Sequence, residues 1–233
     1  NQSGVVYSVN PINNATGYVW NLPPDALITS GSNTNSITVD FGITSGNISV
    51  YGTNICGGGN TSPIVTVNVS NLILYSHDFG EVAISAHPYD VTPGTFATHL
   101  SSSSWSNSVG SWTSYNGNNG KAIALDNSSG TPTITLTFTV DPYFKLDVTH
   151  FNFWRQRSPT GATDWSMTIN GTAVGSGISP ETGANIGQTA VSNPINNLSG
   201  TVTVEISLSG GTNSLGTFRL DDFTLYGNIE CIL

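Results

Sequence analysis

Residues 133–140 read TITLTFTV, four threonines alternating with Ile134, Leu136, Phe138 and Val140. Successive side chains on a strand point to opposite faces, so this spacing predicts a β-strand with an apolar side. The same chemistry recurs outward along the chain in HFNFWRQR (150–157), DWSMTING (164–171), TVTVEISLSG (201–210) and GTFRLDDFTLYG (216–227), with Gly, Pro, Asn and Ser between the runs. Such short alternating runs and turn residues are the composition of an all-β protein. No stretch of helix formers keeps a 3.6-residue period. The fold class expected is therefore all-β, and 233 residues suffice for two sizeable cores.

The chain divides by texture. The first seventy residues hold no Lys or Arg, and their acids are Asp25 and Asp40. VVYSV (5–9), GYVWNL (17–22), SITVDF (36–41), NISVYGT (47–53) and PIVTVNV (63–69) predict a small β-sandwich. Period 2 puts Tyr18 and Trp20 on one strand face, where they are expected to plug its core. From residue 71 the chain opens with NLILYSHDFGE and continues to about residue 228 with eight to ten expected strands, the size of a larger sandwich. NIECIL, residues 228–233, reads as the start of a linker or tail.

The formal net charge is −9. A basic face, which phosphate binding needs, is missing, so nucleic acid is not an expected partner. There is no apolar run of membrane-spanning length, and no basic-then-apolar start, so the stretch reads as a monomeric piece of a larger chain rather than an inserted one. Cys56 and Cys231 could pair, although they would belong to different domains, and two cysteines do not decide the matter.

Within residues 1–70, Ala15, Tyr18, Trp20, Pro23, Ile28, Gly31, Thr34, Asn35, Ile37, Val39, Phe41, Asn54, Cys56 and Gly57 follow a recognisable order. The pattern A-x-x-Y-x-W-x-x-P, I-T-x-G, T-N-x-I-x-V-x-F, T-N-x-C-G resembles the PKD-like, immunoglobulin-type domains that recur in secreted proteins of Bacteroidetes bacteria. That resemblance implies a spacer. Residues 71–228 are similar at their two ends to jelly-roll carbohydrate-binding modules and their cell-surface relatives, through Asp78-Phe79 with Glu81 and through Arg219-Leu220-Asp221-Asp222-Phe223-Thr224-Leu225. The resemblance implies a structural calcium shared by the first and last strands, carried here on Asp78, Glu81, Asp221 and Asp222. Ca²⁺ takes six to eight oxygens and would relieve the repulsion of adjacent carboxylates. The alternative is that Asp221 and Asp222 face opposite sides of a strand, one of them pairing with Arg219 or solvent.

The chemistry of the second region centres on WRQRSPTGATDW (154–165), which holds two of the chain's five basic residues. Period 2 sets Phe151, Phe153, Arg155 and Arg157 on one face, with the arginines beyond the core at a sheet edge or loop mouth. Asn152, Trp154 and Gln156 occupy the other face, an aromatic plane with amides beside it. Sugars are bound by stacking a ring on their C–H face while planar polar groups take the hydroxyls. Trp105, Trp112 and Tyr115, in the Ser/Gly/Asn-rich, loop-rich stretch 101–120, add further candidate rings. The expected ligand is a polysaccharide, bound by Trp154 with one or more of Trp105, Trp112 and Tyr115, while Arg155 and Arg157 read a sulfate, carboxylate or hydroxyl pair. RSPTGATDW also resembles a turn of bacterial surface sandwiches in which an arginine braces backbone carbonyls. Trp165 shares a face with Met167 and Ile169 and is expected in the core.

Catalysis would need a nucleophile with its base or two cooperating carboxylates. His77, His87, His99 and His150 are scattered, no H-E-x-x-H, G-x-S-x-G or P-loop occurs, and nothing pairs Glu181 with Glu205. The expectation is a non-catalytic, secreted or cell-surface binding module behind a spacer. The alternative is a stalk with no glycan ligand, which buried tryptophans would favour.

Overall fold

The computed structural model describes residues 3–42, 45–67, 72–127 and 130–232, and every regular element among them is a strand. The chain forms two compact units, Asn1–Asn71 and Leu72–Leu233.

The first unit contains β1 (Val5–Ser8), β2 (Gly17–Asn21), β3 (Leu27–Ser30), β4 (Ser36–Asp40), β5 (Gly46–Asn54), β6 (Gly57–Gly58) and β7 (Val65–Val67). One sheet runs β1-β4-β3; the other runs β2-β5-β6, with β7 also on β5. Alternation along β4 sends Ile37 and Val39 inward to meet Ile48, with Phe41 just beyond, and this small core is completed by Trp20, Tyr7 and Ile28. Trp20 also donates from Nε1 to the Thr34 carbonyl at 2.9 Å. Tyr18 does not join it; its hydroxyl accepts the Ile12 N–H at 3.0 Å. Residues 68 and 69 of the expected last strand lie outside the described residues.

The second unit has thirteen strands among the described residues: β8 (Leu72–His77), β9 (Thr95–Phe96), β10 (Leu100–Asn107), β11 (Thr113–Asn116), β12 (Lys121–Asp126), β13 (Thr133–Val140), β14 (Phe144–Arg157), β15 (Asp164–Ile169), β16 (Thr172–Ile178), β17 (Ala184–Asn185), β18 (Thr189–Leu198), β19 (Gly200–Ser209) and β20 (Thr217–Cys231). One antiparallel sheet runs β10-β13-β19-β15-β16. The other runs β11-β12-β20-β14-β17, with β18 on β14, β8 on β20 and β9 on β8. Together they make the expected jelly-roll type of sandwich.

The core sits between these sheets. Register pairs Ile134 with Ile206, Leu136 with Val204 and Phe138 with Val202, so the apolar sides of β13 and β19 form one continuous wall. Phe151, Phe153, Phe218, Leu220, Phe223 and Leu225 of the facing sheet close on it, and Trp165, on β15 beside β19, joins the core as expected. Each such side chain contributes about 1.5–3 kcal/mol by leaving water. Stretch 101–120 differs from the expected loop: most of it is β10 and β11, because Trp105 supplies an apolar anchor for a serine-rich strand. The last strand likewise runs on through residues 229–231, where Cys231 is paired with Phe144. Both cysteines carry free, exposed thiols.

A bulge in β20 decides which residues face outward. Trp154 pairs with Asp221 but Asn152 pairs with Thr224, so two residues of β20 oppose one of β14. Asp222 takes φ 50°, a left-handed conformation that aspartate tolerates better than most side chains. The parity shift turns Phe223 inward while Arg219 and Asp221 stay on the outer face.

Candidate functional site

The expected sugar-stacking rings are mostly packing groups. Trp105 is 1% exposed and lies edge-on to Phe79 and Phe223, at centroid distances of 5.3 and 5.1 Å. Its Nε1 donates to the Tyr75 hydroxyl at 2.7 Å. Trp112 is 7% exposed, with its ring 5.6 Å from that of His87. Trp154 does face outward with Asn152 and Gln156, yet it is 6% exposed. The backbone at Gly183 approaches its indole so closely that a methyl group there would overlap the ring. No sugar face can stack on a ring sealed in this way, and the expectation for Trp105, Trp112 and Trp154 is corrected accordingly.

Arg155 and Arg157 are braces rather than ligand readers. Arg155 donates from Nε to the Ile178 carbonyl at 3.1 Å and from Nη1 to that of Ala184 at 2.8 Å. Arg157 donates from Nε to Ser179 O at 2.9 Å and from Nη1 to the carbonyls of Ser158 and Pro159 at 3.0 and 2.8 Å. Its Nη2 meets Glu181 Oε1 at 3.0 Å. With Gln156 Nε2 donating to Glu181 O at 2.7 Å, three consecutive residues tie down segment 178–184, which is the segment that covers Trp154. This is the bracing role that the turn resemblance implied. A guanidinium suits it because its five fixed donors can satisfy several carbonyls at once.

The four carboxylates expected to hold calcium do not assemble into an oxygen cage. Asp221 is 0% exposed, and its two oxygens accept backbone N–H groups, Oδ2 from Asn118 and Oδ1 from Asp222, each at 2.8 Å. Asp222 Oδ2 accepts the Asn118 side-chain amide at 2.8 Å, and Asp78 Oδ1 accepts Gly80 N–H at 3.2 Å. Each of these oxygens accepts an N–H donor, and no group of three or more His, Cys, Asp or Glu able to hold a metal occurs among the described residues. Glycine at 117 permits this closeness, because a side chain there would collide with the Asp221 carboxylate. Burial raises the pKa of Asp221 to about 6 from 3.8, partly opposed by the backbone N–H donors.

What the sheet does assemble is a polar group around Tyr115, the one expected ring that stays partly exposed. Register carries Ala124 to Arg219 and Arg219 to Gln156, across β12, β20 and β14. The Arg219 guanidinium lies 4.2 Å from the centroid of Tyr115, and its Nη1 donates to Gln156 Oε1 at 3.1 Å. Its Nε is buried without a hydrogen-bond partner, and no carboxylate forms an ion pair with Arg219 among the described residues. Lys121 Nζ donates to Asn116 Oδ1 at 2.9 Å, while Arg219 Nη1 reaches the carbonyl of the same Asn116 at 3.5 Å. One cation, one ring and one side-chain amide therefore share this face, while Lys121 and Asn116, paired one position further along, alternate to the other side of the sheet. Arg219 was read from the sequence only as a partner for its neighbouring aspartates. The available signal was its position two residues from Asp221 on a strand, which gives both the same outward side.

A planar cation on an aromatic ring beside a side-chain amide is suited to hydroxyl pairs, carboxylates and sulfates. Among solved structures, the chain is similar to TmCBM61 in complex with β-1,4-galactotriose (13% identity, 54% of this chain and 88% of that one, TM-score 0.36). It is also similar to the CBM36-1 domain of a multidomain xylanase from the hindgut metagenome of Trinervitermes trinervoides (15% identity, 68% and 98%, TM-score 0.36). The secreted serine protease VesC from Vibrio cholerae is matched at 11% identity over 95% of this chain, which spans 42% of that protein, with TM-score 0.33. No curated protein matches the sequence. Residues 1–67 match the family model of the PKD-like domain, so over that stretch the chain is similar to the family that its tyrosine, tryptophan and cysteine pattern pointed to.

Proposed function

We propose that the second unit is a non-catalytic polysaccharide-binding module, carried behind a PKD-like spacer in a secreted or cell-surface bacterial protein, and that it contacts its glycan through Tyr115, Arg219 and Gln156. The observation that carries this is Arg219: a half-buried guanidinium laid on a ring, with no carboxylate partner among the described residues although the chain has 14 acids to five bases. Acids flank it nonetheless, so attraction to an anionic glycan is local, made by Arg219 rather than by the whole surface. A glycan bearing carboxylates or sulfates is the proposed ligand.

The test is electrophoresis of the whole chain through gels containing neutral, carboxylated or sulfated polysaccharides. Retardation in an anionic gel that is abolished in Arg219→Ala and Tyr115→Ala supports the function. Unchanged mobility in every gel would refute it. That result would favour the second reading, a stalk module with no glycan ligand, for which the burial of Trp105, Trp112 and Trp154 speaks.

A further inference from the structure

The Arg219 face leaves unused a groove on another part of the second unit, lined by Asp90, Thr92, Phe96 and the serines Ser102, Ser103 and Ser104, with a volume of about 510 Å³. Its walls are built rather than incidental. Tyr89 and Trp105 exchange both backbone hydrogen bonds, at 2.8 and 2.9 Å, which pins Asp90 beside β10. On β10 the register against β13 slips between Ser101 and Ser104, and Ser102 takes φ 62°, so the strand bulges where the groove lies. The partly buried ring of Phe96 stands edge-on to Tyr75 at 5.6 Å.

One hydrogen-bond direction behind this groove is fixed by chemistry. Trp105 Nε1 can only donate, so the Tyr75 hydroxyl accepts it. Ser103 Oγ lies 2.8 Å from the same hydroxyl, and either oxygen can be the donor. Burial raises the Tyr75 pKa to about 12, which keeps the phenol protonated. In either direction Ser103 Oγ keeps hydrogen-bonding capacity for a partner in the groove. Asp90 is exposed and supplies a carboxylate acceptor. A serine hydroxyl, an acceptor carboxylate and an apolar ring within one groove match the hydroxyl rim and C–H face of a sugar. The carboxylate would repel a uronate or a sulfate.

We infer that this groove is a second saccharide subsite, selective for neutral sugar units, with Asp90 accepting from a pair of sugar hydroxyls and Ser103 hydrogen-bonding to a further sugar hydroxyl. The inference rests on the glycan-binding function proposed above, but not on the Arg219 face. The experiment is titration of the full ¹⁵N-labelled chain with neutral linear trisaccharides of glucose, xylose, mannose and galactose, following backbone amide shifts. Saturable shifts at residues 89–96 and 102–104 with one of them are expected, persisting in Arg219→Ala and weakened about tenfold or more in Asp90→Ala. Asp90 is exposed, so its variant should fold, and its dispersed spectrum reports whether it does. Shifts confined to 113–121 and 219 would overturn the groove while leaving the proposed function standing. Absence of shifts with every trisaccharide would also overturn the groove, and the anionic gels would then decide the function separately.

Discussion

Replacing Asp221 with asparagine removes a carboxylate that is fully buried and whose pKa burial raises from 3.8 to about 6. Between those two values the folded chain holds this proton and the unfolded chain does not. Stability therefore falls as pH rises through the window, and above it the full penalty of the buried charge applies. A displacement of about two pKa units is worth about 3 kcal/mol at about 1.4 kcal/mol per unit. Asparagine abolishes the titration but keeps one acceptor oxygen; its NH₂ group faces the other N–H donor, at a cost of about 1–3 kcal/mol. The two effects nearly cancel at pH 7, so the slope rather than the absolute stability is diagnostic. Denaturation of wild type and Asp221→Asn at pH 4, 5, 6 and 7 should show the wild type losing about 3 kcal/mol more than the variant, roughly 6–12 °C in the melting temperature of a unit this size. The profiles should be the same in excess calcium and in chelator, because N–H groups already occupy the carboxylate oxygens. Parallel profiles for the two proteins would refute the argument. A wild-type slope that vanished in calcium would mean that the cation reaches Asp221 after all.

Other substitutions separate packing from binding. Gly183→Ala forces a methyl into the indole of Trp154 and should destabilise by about 1–3 kcal/mol, read as a lowered melting temperature. Arg157→Ala leaves the carbonyls of Ser158, Pro159 and Ser179 without their donor, so it should lower the melting temperature by several degrees while gel retardation by an anionic glycan persists in the folded protein. Arg219→Lys keeps the charge but loses the planar stack on Tyr115; it should weaken retardation with little change in stability, and an unchanged mobility would count against the ring–cation contact. Trp105→Ala should cost about 3–5 kcal/mol, because it empties the middle of an aromatic cluster and removes one of the two hydrogen bonds of the Tyr75 hydroxyl.

Alternation was enough to recognise most of the long strands: TITLTFTV is β13 residue for residue, and TVTVEISLSG differs from β19 by one residue at each end. Period-2 patterning is local and so is visible in a linear text. It also correctly set Trp154 apart from Phe151 and Phe153. It could not tell that the outward side of Trp154 would be sealed, because the cover at Gly183 lies some thirty residues away and is held there by Arg155, Gln156 and Arg157. Asp221 illustrates the same limit: one of the N–H groups it accepts comes from Asn118, more than a hundred residues earlier. The bulge at Asp222 shifted the parity of the last strand, a change that alternation alone does not announce. Residue types and their spacing determined that this chain is all-β, where its strands run and that its first stretch resembles a PKD-like domain. Only the tertiary structure decided which rings and charges are spent on packing, since burial depends on what a remote segment lays over a face.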